Sequence, residues 1–210
     1  LGGMVGAFAI AAALLRARAT GRGATLDVSM LESMLSAMGW PVSNWLTCGT
    51  EPAPMVNDNM TAAPSGTFGT GEGLLNIAAN KQDQFEALAR LIGRPDLITD
   101  PRFAGREARK ANRAALTTAI EDALAAAPAA AWEARLNAAG VPAGRVLTIP
   151  EVLEEPQIAA RDLLHRFEAV PGTDRPLTVL CGGFLVDGAA PAPGRPPPRL
   201  GEHQVEVLGG

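Results

Sequence analysis

The sequence has few of the residues that usually carry metal and redox chemistry. Cys48 and Cys181 are the only cysteines, far apart and in no CxxC pair. That excludes a zinc framework or disulfide scaffold and predicts two buried free thiols in a cytoplasmic protein. His165 and His203 are the only histidines, and neither has a second ligand three or four positions away, so no metal site is expected. Neither sign of charge dominates: 18 Lys+Arg against 22 Asp+Glu give a formal net charge of −4. This excludes a nucleic-acid groove and a polybasic membrane surface. No GxGxxG follows a strand, so a dinucleotide fingerprint is absent, and no GxSxG or Cys/His arrangement marks a local nucleophile. No internal repeat is present. The apolar run Met4 to Leu15 is about three turns long, short of the roughly 20 residues a bilayer span needs. No basic segment precedes it, and Arg16 and Arg18 follow, so it is not a signal-peptide core.

What remains is an ordinary globular composition: 210 residues, 47% hydrophobic and 19% charged. Lysine is scarce, with Lys81 and Lys110 beside sixteen arginines. The chain opens at Leu1, inside an apolar pattern, and reads as a fragment whose N-terminal part is missing. Met4 to Ala19 reads as a buried helix closed by Gly21, Ala24 to Met30 as a strand, and Leu31 to Leu46 as a second helix. Together they suggest a piece of a parallel sheet. Cys48 to Ser65 is rich in Pro, Gly and Asn and reads as a linker or functional loop. Gly66 to Ala79 reads as a hairpin turning at Gly71-Glu72-Gly73. Gln82 to Ile92 is helical, with Phe85, Leu88, Leu91 and Ile92 on one face, and Gly93 and Pro95 stop it. Arg106 to Ala126 reads as one long helix with Ala111, Ala115, Ile120 and Leu124 inward. Another helix runs from Pro128 to Gly140. Thr148 and Glu151 have capping-box spacing for a short helix ending near Leu153. Gln157 to Leu164 reads as helix, Arg166 to Val186 as two or three short strands, and Ala189 to Pro198 as an extended tract. Gly201 to Leu208 starts a terminal helix.

Two clusters are candidates for chemistry. Asn80-Lys81-Gln82-Asp83 lies where a strand turns into a helix, and such a junction can aim side chains and free N–H groups into a cleft. It can equally well be only a helix start. Asn57-Asp58-Asn59-Met60 is either a second polar site or a turn. Asp27 reads as a structural hydrogen-bonding residue in its strand.

Five stretches, in order, resemble one family. They are LGGMVGAFAIAAALLRARATGRGATLDVSMLESML, PSGTF, NKQDQFEALARLIGRPDLITDPRF, GVPAGRVLTIPEVLEEPQ and PPPRLGEHQVEVL. The chain is similar to the class III CoA-transferases over essentially its whole length. The resemblance implies an α/β protein: the end of a Rossmann-like large domain plus a smaller α+β domain, part of an interlocked homodimer. On that plan residues 1–48 close the large domain and 49–65 link it to the small one. Residues 66–148 form the small domain, and 149–210 return toward the large one. The resemblance also implies an acyl-CoA and a carboxylic acid as substrates, coenzyme A as co-substrate and no permanently bound cofactor. Its nucleophile is an aspartate that takes up CoA as a thioester. Its place falls about two residues before Leu1, so no catalytic residue is expected within the chain. Gly2 and Gly3 would be its neighbours, near CoA, in the loop entering the first helix. Gln82, Asp83, Asn59 and Met60 would line the substrate site.

Two departures bear on the substrate. Where formyl-CoA transferases carry a run of glycines, this chain has NDNMTAAP, which does not support oxalate or formate specificity. The racemase branch of the superfamily uses a glutamate where Gln82 stands. An amide cannot exchange a proton, so transfer is favoured over isomerisation, although Asp83 is adjacent. The alternatives are therefore a racemase-like isomerase or an inert fragment that contributes only an interface.

Overall fold

The computed structural model describes residues 1–209. The chain divides into two compact units, Leu1–Met60 and Thr61–Gly210.

The first unit holds α1 (Gly2–Thr20), α2 (Met30–Ala37) and α3 (Gly39–Cys48). Gly21 closes α1 in the left-handed conformation, its N–H donating to Ala17 O, as its position after the last turn predicts. The strand expected over Ala24 to Met30 does not form. Residues 22–29 carry no ladder and Asp27 is exposed. A strand exists only through its pairing, and nothing in this unit pairs with the segment. The second expected helix is two, broken at Met38. Pro41 lacks the N–H a continuous helix needs, but a proline is tolerated in the first turn of a new one.

Burial also departs from expectation. α1 buries none of its residues, and Phe8 is 76% exposed. At 19 residues α1 is long and apolar enough to cross a membrane by length and composition. The helix that forms is thus longer than the apolar run Met4 to Leu15 alone. Cys48 is exposed and Cys181 half-buried, so the thiols are free but not buried.

The second unit holds the core. β1 (Ser65–Gly69), β2 (Leu74–Ala78) and β3 (Ala143–Arg145) form an antiparallel sheet with β2 in the middle. The helices are α4 (Gln82–Leu91), α5 (Asp96–Thr99), α6 (Arg106–Ala111), α7 (Arg113–Leu124) and α8 (Ala129–Ala138). Phe68, Leu75 and Ile77 from the sheet meet Phe85 and Leu88 of α4, Leu116, Ile120 and Leu124 of α7, and Trp132 and Leu136 of α8. Each such side chain contributes about 1.5–3 kcal/mol when fully buried. The two strands that later pair, β4 (Leu164–Phe167) and β5 (Leu177–Leu180), form a separate antiparallel sheet. No two strands pair in parallel among the described residues, against the parallel sheet expected.

The hairpin turns where expected. Its tip docks on the α7–α8 connection, Gly71 N–H donating to Ala127 O at 3.0 Å. A Cβ on Gly71 would lie 2.6 Å from Ala125 O, so no other residue fits. The long helix expected from Arg106 breaks at Asn112, whose Nδ2 donates to Ala108 O and Arg102 O. The break shifts the helical phase, so Leu116 is buried while Ala111 and Ala115 are exposed. In α4, Leu91 is exposed rather than inward. Thr148 caps α9 (Ile149–Leu153) as expected, its N–H donating to Glu151 Oε2 at 2.7 Å. The helix expected to reach Leu164 is only α10 (Pro156–Ala160), because Leu164 already pairs with Leu180. α11 (Gln204–Leu208) is the last element among the described residues.

Candidate functional site

Gln82 is the first residue of α4, reached from β2 through Ala79, Asn80 and Lys81. Ala78 and Ala79 continue the strand's bonding, donating to Pro142 O and Pro64 O. Gln84 Oε1 accepts from Lys81 N–H at 3.1 Å and fixes the entry to the helix. The junction is thus held on both sides.

The Gln82 side chain is surface-exposed but tied at both ends. Its Oε1 accepts from Arg109 Nη1 at 2.9 Å. Its Nε2 donates to Glu86 Oε1 at 3.3 Å, and Glu86 pairs with Arg90 at 2.8 Å. The Arg90 hydrogen bond, followed by that from Gln82, holds the Glu86 carboxyl below its ordinary range. Asp83, also in the first turn, is exposed.

Arg109 is the residue the sequence reading missed. It is 1% exposed. Its Nε donates to Ala63 O at 2.8 Å, its Nη1 also to Phe103 O at 3.0 Å, and its guanidinium lies 4.3 Å from the centre of the Phe85 ring. Burial, and then the neighbouring Arg106, push its pKa below the usual arginine value, although a guanidinium stays charged in water and protein alike. Arg106 and Arg113 flank it. Arg106 Nη2 donates to Thr61 O at 2.7 Å and Arg113 Nη2 to Ala62 O at 3.0 Å. Three arginines therefore clamp three successive carbonyls, and the end of the expected linker is an ordered part of this unit. On the single long helix that the sequence suggests, the spacing 106, 109, 113 would put the three on one face. That stripe, in a chain of net negative charge, was the available signal.

Asn59 and Met60 are half-buried and belong to the first unit, as do Gly2 and Gly3. Gly2 and Gly3 are the first two residues of α1 rather than a loop before it. His165 sits on β4 in edge contact with Phe167, ring centres 4.5 Å apart. No group of three metal-ligating side chains occurs among the described residues. A cleft of about 890 Å³ lies elsewhere in the second unit, with Val170, Gly172, Arg199 and Glu202 in its lining.

Chemically, the junction offers an amide N–H beside a buried cation, an arrangement that suits a negatively charged oxygen. Comparison with known proteins gives this a context. The acetyl-CoA:oxalate CoA-transferase of Acetobacter aceti is 36% identical over 170 residues, covering 81% of this chain and 44% of that protein. The succinate–glutarate CoA-transferase of Agrobacterium fabrum is 29% identical over 216 residues, covering 98% and 51%. The chain thus spans about half the length of the curated relatives it matches. The crystal structure of a CAIB/BAIF family protein from Brucella suis is 30% identical, covers 99% of this chain and 53% of the other, and superposes with a TM-score of 0.82. That of Rv3272 from Mycobacterium tuberculosis is also 30% identical, covering 98% and 53%, with a TM-score of 0.80. The model of CoA-transferase family III matches residues 1–204, and the order of motifs, the mixed α/β fold and the named relatives agree: the chain belongs to that family.

Proposed function

We propose that the whole protein is an acyl-CoA:carboxylate CoA-transferase, and that residues 1–210 supply part of it. The observation that carries this is the family match over residues 1–204, joined to relatives named as CoA-transferases. Oxalate, glutarate and mesaconate appear in those relatives' names, so we take a dicarboxylic acid as the acceptor class. The reading includes a Rossmann-like large domain, an interlocked homodimer and a cytoplasmic setting.

In this reading an aspartate outside residues 1–210 is the nucleophile. Its carboxylate adds to the thioester carbonyl and expels CoA thiolate, leaving a mixed anhydride. The thiolate adds to the aspartyl carbonyl and releases the donor acid as carboxylate, leaving an aspartyl-CoA thioester. The acceptor carboxylate attacks that thioester and expels the thiolate. The thiolate then takes the acceptor's acyl group, which forms the new acyl-CoA and frees the aspartate. Each addition puts negative charge on a carbonyl oxygen. Gln82 Nε2–H is a donor for one of these; Asp83 beside it on α4, and Asn59 and Met60 of the first unit, are assigned to substrate binding by the family resemblance. Gly2 and Gly3 lie next to the nucleophile and CoA. Gln82 cannot take a proton from a carbon, so transfer is favoured over racemisation.

The test is CoA exchange by the whole protein, with a panel of acyl-CoA donors and dicarboxylic acids. Transfer, with a hydroxylamine-sensitive enzyme-bound CoA thioester, is the expected result. Proton exchange at the α-carbon without transfer would refute the proposal. Residues 1–210 alone are expected to show no turnover above a no-protein control.

A further inference from the structure

Arg109 presents a problem that its surroundings solve in one way. A buried charge is costly unless it is paired or richly hydrogen-bonded. Among the described residues no carboxylate pairs with Arg109. Its hydrogen bonds go to two backbone carbonyls, Ala63 O and Phe103 O, and to Gln82 Oε1. The Phe85 ring face adds a cation–π contact at 4.3 Å.

A guanidinium has donors and no acceptor. The carboxamide atom facing it must therefore be oxygen, which removes the usual ambiguity in orienting a glutamine. The other end agrees, because Nε2 faces a carboxylate oxygen of Glu86. One of the two lone pairs of Gln82 Oε1 is thus used inside the protein, and it fixes which edge of the carboxamide faces Arg109. Of its two N–H groups, one points to Glu86 and the other has no protein partner among the described residues.

We infer that Arg109 is a positioning residue, locking the Gln82 carboxamide so that it presents its N–H edge to a ligand. This rests on the reading of Gln82 as an active-site residue. The lock has a second consequence. A glutamate at position 82 would face the same guanidinium across about the same distance. It would be an ion-paired carboxylate rather than a poised base, because an adjacent cation favours the charged form. Lys81 at the N-cap of α4, Asp83 and Glu86 on α4, and Arg106 on α6 also bear on that carboxylate. They are unchanged when Arg109 alone is replaced.

The test is made in the whole protein and has a readout apart from activity. The carboxyl of Gln82→Glu, labelled with ¹³C, is titrated by NMR with Arg109 intact and replaced by Met. Arg109→Lys, which keeps the charge but loses the planar fork, serves if the Met variant does not fold. With Arg109 intact the group is expected to be at least about tenfold stronger as an acid than with Met, one unit of pKa. The lysine variant should lie between. Superimposable titrations would overturn the lock. In kinetics, Arg109→Lys should lower kcat about tenfold in the Gln82 protein and leave it unchanged in the Gln82→Ala background. Equal losses in both would show that Arg109 acts only through folding, and would overturn the positioning role. If Gln82→Ala keeps full kcat while the titration still depends on Arg109, the lock stands. What falls then is the placing of Gln82 in the active site.

Discussion

Replacing Gln82 by alanine in the whole protein separates the chemical from the structural role of this residue. The substitution removes one acceptor from Arg109, at 2.9 Å, and one long bond to Glu86, at 3.3 Å. Arg109 keeps Ala63 O and Phe103 O. The freed N–H points to where an exposed side chain stood, so water can replace the lost acceptor. The net cost of one such hydrogen bond is about 1 kcal/mol, and alanine favours a helix. A fall in Tm of roughly 2–4 °C is expected for a domain of this size. An amide N–H that stabilises an oxyanion is worth much more, about 3 kcal/mol or roughly a hundredfold in kcat. The assay is steady-state CoA transfer at saturating donor, with thermal melts alongside. A small fall in Tm with kcat reduced about a hundredfold supports the reasoning. The same fall in Tm with unchanged kcat refutes it and leaves Gln82 as Arg109's partner only.

Other perturbations test the frame around the site. Gly71→Ala drives a Cβ to 2.6 Å from Ala125 O; it should cost about 1–3 kcal/mol in a urea melt, and an unchanged midpoint would contradict the docking of the hairpin tip. The carboxyls of Asp96, Asp100 and Glu107 are held below their ordinary range chiefly by hydrogen bonds from Arg94, Arg102 and Lys110, and that of Glu151 by Thr148. Their folded pKa values are depressed, so their stabilisation is complete above the unfolded values near about 4 and is lost as pH falls through the folded ones. Melts from pH 6 to 2 should show stability falling only in the acid range; a rise on acidification would refute this. Residues 1–210 produced alone should self-associate, because α1 exposes Met4, Phe8, Leu14 and Leu15. A clean monomer by sedimentation that binds no apolar dye would count against it.

Much of the second unit was legible because its signals are local. Gly93 and Pro95 stop α4, Glu151 reaches back to Thr148, and Gly71 and Gly73 shape a turn. Each acts within a few residues, so the sequence carries both partners side by side. The order of five motifs was legible in the same way, and it pointed to the family before any coordinates did.

What the tertiary structure decided depends on partners far apart in the chain. β3 is three residues long and exists only because β2, some seventy residues earlier, offers an edge. Residues 24–29 have a strand's composition but no neighbour to pair with, so no ladder forms. Asn112 breaks a helix that periodicity runs straight through, and the break decides which face is buried. Arg109 shows the difference most sharply. By residue type it belongs on the surface, and its burial is possible only because the carbonyls of Ala63 and Phe103, and the Phe85 ring and Gln82 amide oxygen of α4, converge on it from three separate stretches of the chain. A sequence supplies the charge; only the packed chain supplies the acceptors that make burying it possible and that turn the Gln82 N–H outward.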